Sequence, residues 1–219
     1  MTISATARPR ILIVDDHMII RRGLRQILSE NPAFTEILEA EDGVSALRCV
    51  RTTPVDVVLL DIALGERDGL DVLKTLHAEF PRLAVIMLSV YPENQFALRA
   101  LKAGAHAYLN KGCHPDILFA AIVKVASGGV YITPAVAELL AQDVRGEASS
   151  HKPPHELLSN REFQVLQLLV QGRSVSQIAQ QLSLSANTIS TYRARVFDKL
   201  NLPNPAALFA YASRHGLMP

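Results

Sequence analysis

Cysteine is almost missing from the chain: two residues in 219, Cys49 and Cys113, with no C-x-x-C pair and no histidine at metal-ligand spacing. A disulfide scaffold and a zinc site are both disfavoured. Long apolar runs are missing too. The best, 55–60, is broken by Asp56 and falls far short of the roughly 20 residues a membrane span needs. The first ten residues hold no apolar stretch of the kind an export signal needs, so the expectation is a cytoplasmic protein with no membrane partner. A dominant charge of one sign is also lacking, since 22 basic and 21 acidic residues nearly cancel. Wholesale disorder is excluded by 49% hydrophobic content, which is enough for a sizeable core.

The balanced charge conceals an asymmetry. Residues 1–127 carry 14 Lys/Arg and 15 Asp/Glu, whereas 156–219 carry 6 and 3. The tail is therefore the basic part, although a solvated face would explain as much unless a motif stands beside it.

Five short β-rich runs, at 10–14, 36–39, 55–60, 84–88 and 107–109, alternate with helical-period segments at 18–30, 43–52, 69–79, 93–103 and 115–127. This rhythm predicts an α/β domain, an open (βα)5 doubly wound parallel sheet of flavodoxin-like form, over residues 9–127. The runs at 11–14, 55–60 and 84–88 are nearly continuous in apolar residues, as interior parallel strands should be. A linker follows over 128–155, with helical character from Thr133 to Ala141 and a polar stretch at 142–154. Residues 156–217 read as an all-α four-helix unit. Ser159-Asn-Arg-Glu162 and Ser174-Val-Ser-Gln177 are capping boxes, Gly172 stops the first helix, Ser185 caps a third and Asn204-Pro205 opens a fourth. The second and third helices make a helix-turn-helix.

Ligands of an open parallel sheet gather at the carboxyl ends of its strands. Asp15 and Asp16 end the first run and Asp61 the third; Ser89 ends the fourth, Tyr108 belongs to the fifth and Lys111 follows it. Neighbouring strands would bring three carboxylates together, an arrangement that needs a cation or a proton, and all-oxygen ligation suits Mg2+. Singly, each residue has a bland reading as a cap, a loop carboxylate or a solvated lysine.

In order and spacing, however, they resemble the receiver domain of two-component response regulators. The resemblance implies that Asp61 is the phosphoacceptor and that Asp15, Asp16, Asp61 and the backbone carbonyl of Ala63 serve Mg2+. It further implies that Lys111 and Ser89 contact the phosphoryl group and that Tyr108 turns inward after it. Leu64-Gly65 departs from the usual Met-Pro, and Ser89 stands where Thr is commoner. The segments Leu158-Ser-Asn-Arg-Glu162, Ser185-Ala-Asn-Thr-Ile-Ser-Thr-Tyr-Arg193 and Lys199-Leu-Asn-Leu202 resemble the LuxR-type helix-turn-helix. By that family's docking, Ser190, Thr191 and Ala194 face bases, Arg193, Arg195 and Lys199 hold the backbone, and Tyr192 lies among them. Glu162 is mainly a structural cap that also ties helices together.

The two resemblances together imply a NarL/FixJ-type bacterial response regulator. A sensor histidine kinase phosphorylates it; it dimerises on an inverted repeat of double-stranded DNA to regulate transcription, with RNA polymerase as a further partner. Two alternatives stand beside this reading. A regulator could bind DNA without phosphorylation. An aspartyl-phosphate phosphatase of haloacid-dehalogenase type would need Asp-x-Asp, but Asp61-Ile62-Ala63 lacks its general acid, so the expectation is no enzyme.

Overall fold

The computed structural model describes residues 9–34, 36–64, 67–145 and 153–218. The chain divides into two compact units, residues 1–141 and 142–219.

The first unit contains five parallel strands: β1 (Arg10–Val14), β2 (Glu36–Ala40), β3 (Val57–Asp61), β4 (Ala84–Ser89) and β5 (Ala107–Asn110). Their order across the sheet is β2-β1-β3-β4-β5. The helices between and after them are α1 (Met18–Ser29), α2 (Gly43–Thr52), α3 (Gly69–Glu79), α4 (Glu93–Lys102) and α5 (Pro115–Ala126). β3 and β4 are buried along their whole length, and only Arg10 of β1 is not. Such strands are covered on both faces, which explains their unbroken apolar runs. On one face Ile11, Ile13, Val57, Leu59, Ile86 and Leu88 meet Leu28 of α1 and Leu118 and Ile122 of α5 in a single core. The intervening residues Leu12, Val14, Val58 and Leu60 point to the opposite face, as the two-residue period of a strand requires. The edge strand β2 buries only Ala40 and pairs Glu36 with Arg10 at 2.8 Å.

Three details differ from the sequence expectation. β3 begins at Val57, because Asp56 is taken up by Arg10, whose N–H donates to the carboxylate at 2.7 Å. A two-residue antiparallel ladder joins Ala63–Leu64 to Arg67–Asp68; Gly65, which departs from the family pattern, lies outside the described residues. The linker helix α6 runs Pro134–Val144, past Ala141 into the segment read as polar linker, of which 146–152 lie outside the described residues. A 3-10 turn occupies Pro154–Leu157.

The second unit comprises α7 (Asn160–Val170), α8 (Val175–Gln181), α9 (Ala186–Lys199) and α10 (Pro205–Arg214). Both expected capping boxes are formed, and Ser185 and Asn204 accept from the backbone N–H groups of Thr188 and Ala207. Gly172 ends α7 with φ 77°, a conformation glycine adopts without cost. Val165 and Leu168 of α7, Ile178 and Leu182 around α8, and Ile189 of α9 share one core. That packing fixes α9 against α8 and leaves the opposite side of α9 to solvent.

Candidate functional site

β1 and β3 are adjacent, with Val14 beside Leu60, so the residues that follow them share one rim. Strand order reverses here, since β1 is followed on one side by β2 and on the other by β3, and such a point opens a crevice at the carboxyl ends. Asp15 and Asp61 are buried there, while Asp16 is partly exposed. Lys111, in the loop after β5, reaches across and places Nζ 2.6 Å from Asp15 Oδ2 and 2.8 Å from Asp61 Oδ2. One ammonium thus serves two carboxylates.

The electrostatics follow from that count. Burial pushes the Asp61 carboxyl above the usual carboxylate range; Lys111 opposes the shift and Asp15 reinforces it. Burial also works against charge on Lys111, but Asp61 and Asp15 outweigh it and its pKa lies above the ordinary lysine value. The backbone N–H of Ala63 adds a hydrogen bond that favours ionised Asp61. Ligand atoms of Asp15, Asp16, His17 and Asp61 all lie within 4.8 Å of one another. Three carboxylates against one ammonium leave a net negative, hard-oxygen donor set, which fits Mg2+.

Sequence reasoning passed over His17, although it directly follows the Asp pair. Its Nδ1 lies 2.6 Å from Asp16 Oδ1 and its backbone N–H donates to Asp15 Oδ1 at 2.9 Å. Arg21, one turn into α1, donates to the Asp15 carbonyl at 2.6 Å. Gly69, where Asp68-Gly69 keeps to the family's pattern, has a role that the pattern does not state. A Cβ there would overlap the Asp61 carbonyl oxygen and stand 2.9 Å from Ile62 Cα, so helix α3 starts against the main chain of the phosphoacceptor candidate. Gly69 N–H donates to the Ile62 carbonyl at 3.0 Å.

Ser89 and Tyr108 sit farther along the same rim and are both buried. The Ser89 hydroxyl accepts from Tyr91 N–H at 2.9 Å, and the Tyr108 hydroxyl donates to the Tyr91 carbonyl at 3.1 Å. Burial pushes the Tyr108 phenol well above its ordinary pKa, so the group remains a donor. The resemblance implied a ring that turns inward on phosphorylation; here it already lies inward.

In the second unit Ser190, Thr191, Arg193, Ala194 and Arg195 are exposed on α9. Tyr192 is not free in the same way, because it is half-buried against the helical core. Lys199 reaches the buried Glu162, with Nζ 2.7 Å from Oε2. The same carboxylate accepts from Ser159 N–H at 2.7 Å, so Glu162 caps α7 and ties it to α9 at once. The structure therefore brings together the acidic pocket and, separately, the α9 surface, with Tyr192 half-buried against the core and Lys199 paired with Glu162.

Comparison with known proteins agrees with this division. The response regulator receiver domain family matches residues 11–123, and the family of bacterial regulatory proteins described as luxR matches 156–212. The chain is 36% identical over 207 residues to the response regulator UvrY of Escherichia coli K12, covering 94% of each protein. It is 32% identical over 209 residues to the response regulator GacA of Pseudomonas aeruginosa, covering 95% of this chain and 97% of that one.

The chain belongs to the NarL/FixJ family of response regulators.

Solved relatives include the response regulator ChrA of a heme-sensing two-component system, at 32% identity and a TM-score of 0.52, covering 97% of this chain and all of that one. An RcsB–DNA complex matches at 26% identity and a TM-score of 0.57, covering 94% of this chain and 98% of that one. This response regulator is accordingly a phosphorylation-dependent transcription regulator of a two-component system, with a receiver and a LuxR-type DNA-binding domain. Among the described residues no helix is long and apolar enough to cross a membrane.

Proposed function

We propose that Asp61 is the residue phosphorylated, by a sensor histidine kinase, and that the ester switches DNA binding by α9. The observation that carries this reading is the Lys111 ammonium, 2.8 Å from a buried Asp61 carboxylate at the sheet's switch point. In the transfer an Asp61 carboxylate oxygen attacks phosphorus, the O–P bond forms and the N–P bond to the kinase histidine breaks. Positioning and charge neutralisation supply most of the rate in such transfers. Asp15, Asp16, Asp61 and the Ala63 carbonyl would hold Mg2+, which supplies further neutralisation of the phosphoryl oxygens when bound.

Lys111 is already in place to pair with those oxygens. Ser89 accepts from Tyr91 N–H through a lone pair, which leaves its own hydroxyl proton to donate to one of them. The population then shifts toward a form whose output domains dimerise on an inverted repeat, since a ligand moves an equilibrium only by what it binds differentially. Ser190, Thr191 and Ala194 face bases; Arg193 and Arg195 hold phosphates, with Lys199 at the margin. The protein acts in the cytoplasm as a regulator rather than an enzyme, and RNA polymerase is its downstream partner.

The test is acetyl phosphate treatment with Mg2+, followed by intact mass and genomic footprinting. A single added phosphoryl group, absent in Asp61→Asn, with footprints that appear only on phosphorylation, is the expected result. Equal labelling of Asp61→Asn would overturn the assignment.

A further inference from the structure

Beyond the exposed face of α9, the turn leading into α10 contributes to a shallow groove of about 300 Å3. Its walls are Ala194 and Phe197 on one side and Pro203, Asn204 and Pro205 on the other, with Ser190 and Arg193 at the rim. Among the described residues Arg193 carries the only charge in the lining. Its guanidinium carbon lies 5.6 Å from the centroid of the Phe197 ring, within the range of a cation–π contact. A long exposed arginine is otherwise free to sample many rotamers, and stacking on a half-buried ring removes much of that freedom.

We propose that this groove seats one deoxyribose–phosphate unit of the DNA backbone. Phe197 is a positioning residue: it holds Arg193 where the guanidinium meets the phosphate, while the proline-lined wall receives the apolar edge of the sugar. The inference rests on the DNA reading of α9 and extends its footprint to the α9–α10 corner. Three features favour DNA as occupant. The groove is continuous with the exposed face of α9 that carries Ser190 and Ala194; its one charge is positive; and its apolar wall beside a cation matches a sugar beside a phosphate.

The experiment uses full-length protein treated with acetyl phosphate and a mixed-sequence duplex of about 30 base pairs, because non-specific binding reads backbone contacts. Arg193→Ala is expected to lower the slope of log affinity against log salt by about 1. Phe197→Leu is expected to weaken binding about two- to five-fold, whereas Phe197→Trp retains it. The double variant Arg193→Ala/Phe197→Leu should bind no more weakly than Arg193→Ala, since Phe197 acts through Arg193. Additive loss in the double variant would overturn the positioning role. Should Phe197→Leu fail to fold, the exposed Arg193→Ala still decides, and an unchanged salt slope overturns the groove. If Arg195→Ala lowers the slope and Arg193→Ala does not, the groove falls and the DNA reading stands. If the unsubstituted protein binds no duplex, both fall. Binding of poly-glutamate through Arg193 without any effect on duplex binding would assign the groove to an acidic protein segment and overturn the inference.

Discussion

Gly69 lies so close to the carbonyl of Asp61 that even a methyl group cannot be accommodated between them. Because the clash is with backbone, no rotamer change relieves it. Gly69→Ala is expected to cost about 1 to 3 kcal/mol, the usual range for overpacking, and to displace the Asp61 main chain. Thermal unfolding would show the loss of stability, and acetyl phosphate labelling would slow even at temperatures where the variant is folded. Normal labelling at full stability would show that the loop yields freely.

Lys111 neutralises part of a buried acidic pair. Lys111→Gln leaves Asp15 and Asp61 facing each other without it, and removing one partner of a buried charge network costs about 3 to 5 kcal/mol. The variant should melt lower at neutral pH, and MgCl2 should raise its melting temperature more than it raises that of the unsubstituted protein. Equal magnesium responses would contradict the shared-charge account.

His106 precedes β5, and its Nδ1 accepts from Val85 N–H at 3.3 Å. Burial, with a smaller contribution from His77, lowers its pKa below the ordinary 6.5. A depressed folded value means that the unfolded chain binds the proton more readily. Stability is then complete above 6.5 and is lost as pH falls through the folded value. His106→Gln should flatten the melting curve over that interval; a slope that persists unchanged would assign it elsewhere.

Lys199 and Glu162 form the tie between α9 and α7. Burial works against the Glu162 charge, but Lys199 and Ser159 outweigh it and hold the carboxyl below its usual range. Its stabilising effect is therefore present above the ordinary glutamate pKa and lost as pH falls through the lowered one. Lys199 is partly exposed, so Lys199→Met is expected to cost only about 1 to 2 kcal/mol. In a cycle with Glu162→Gln, measured by urea unfolding of the C-terminal unit, the two losses should not add. Additive losses would mean the ion pair contributes nothing.

Much of the architecture was legible because local signals agreed with the global fold. The nearly continuous apolar runs of β1, β3 and β4 announced interior strands, and Ser159, Ser174 and Ser185 marked helix starts to the residue. Asp15, Asp16, Asp61 and Lys111 could be paired in advance because strand ends converge. Contacts made by main chain were not legible. Nothing in the sequence marks the Tyr91 carbonyl as the partner of Tyr108, or the Asp61 carbonyl as the neighbour that excludes a side chain at position 69. Tyr192 stands among the DNA-facing residues of the α9 pattern, and that pattern alone cannot reveal that it is also half-buried against the core beneath.

Tyr91 is gripped at both ends of its own backbone, by Ser89 at the nitrogen and by Tyr108 at the oxygen. Two hydroxyls that share one residue cannot act as separate levers. Genetically the two positions should be epistatic: Ser89→Ala and Tyr108→Phe would each uncouple phosphorylation from promoter occupancy, and their combination would be no worse than the more severe of the two.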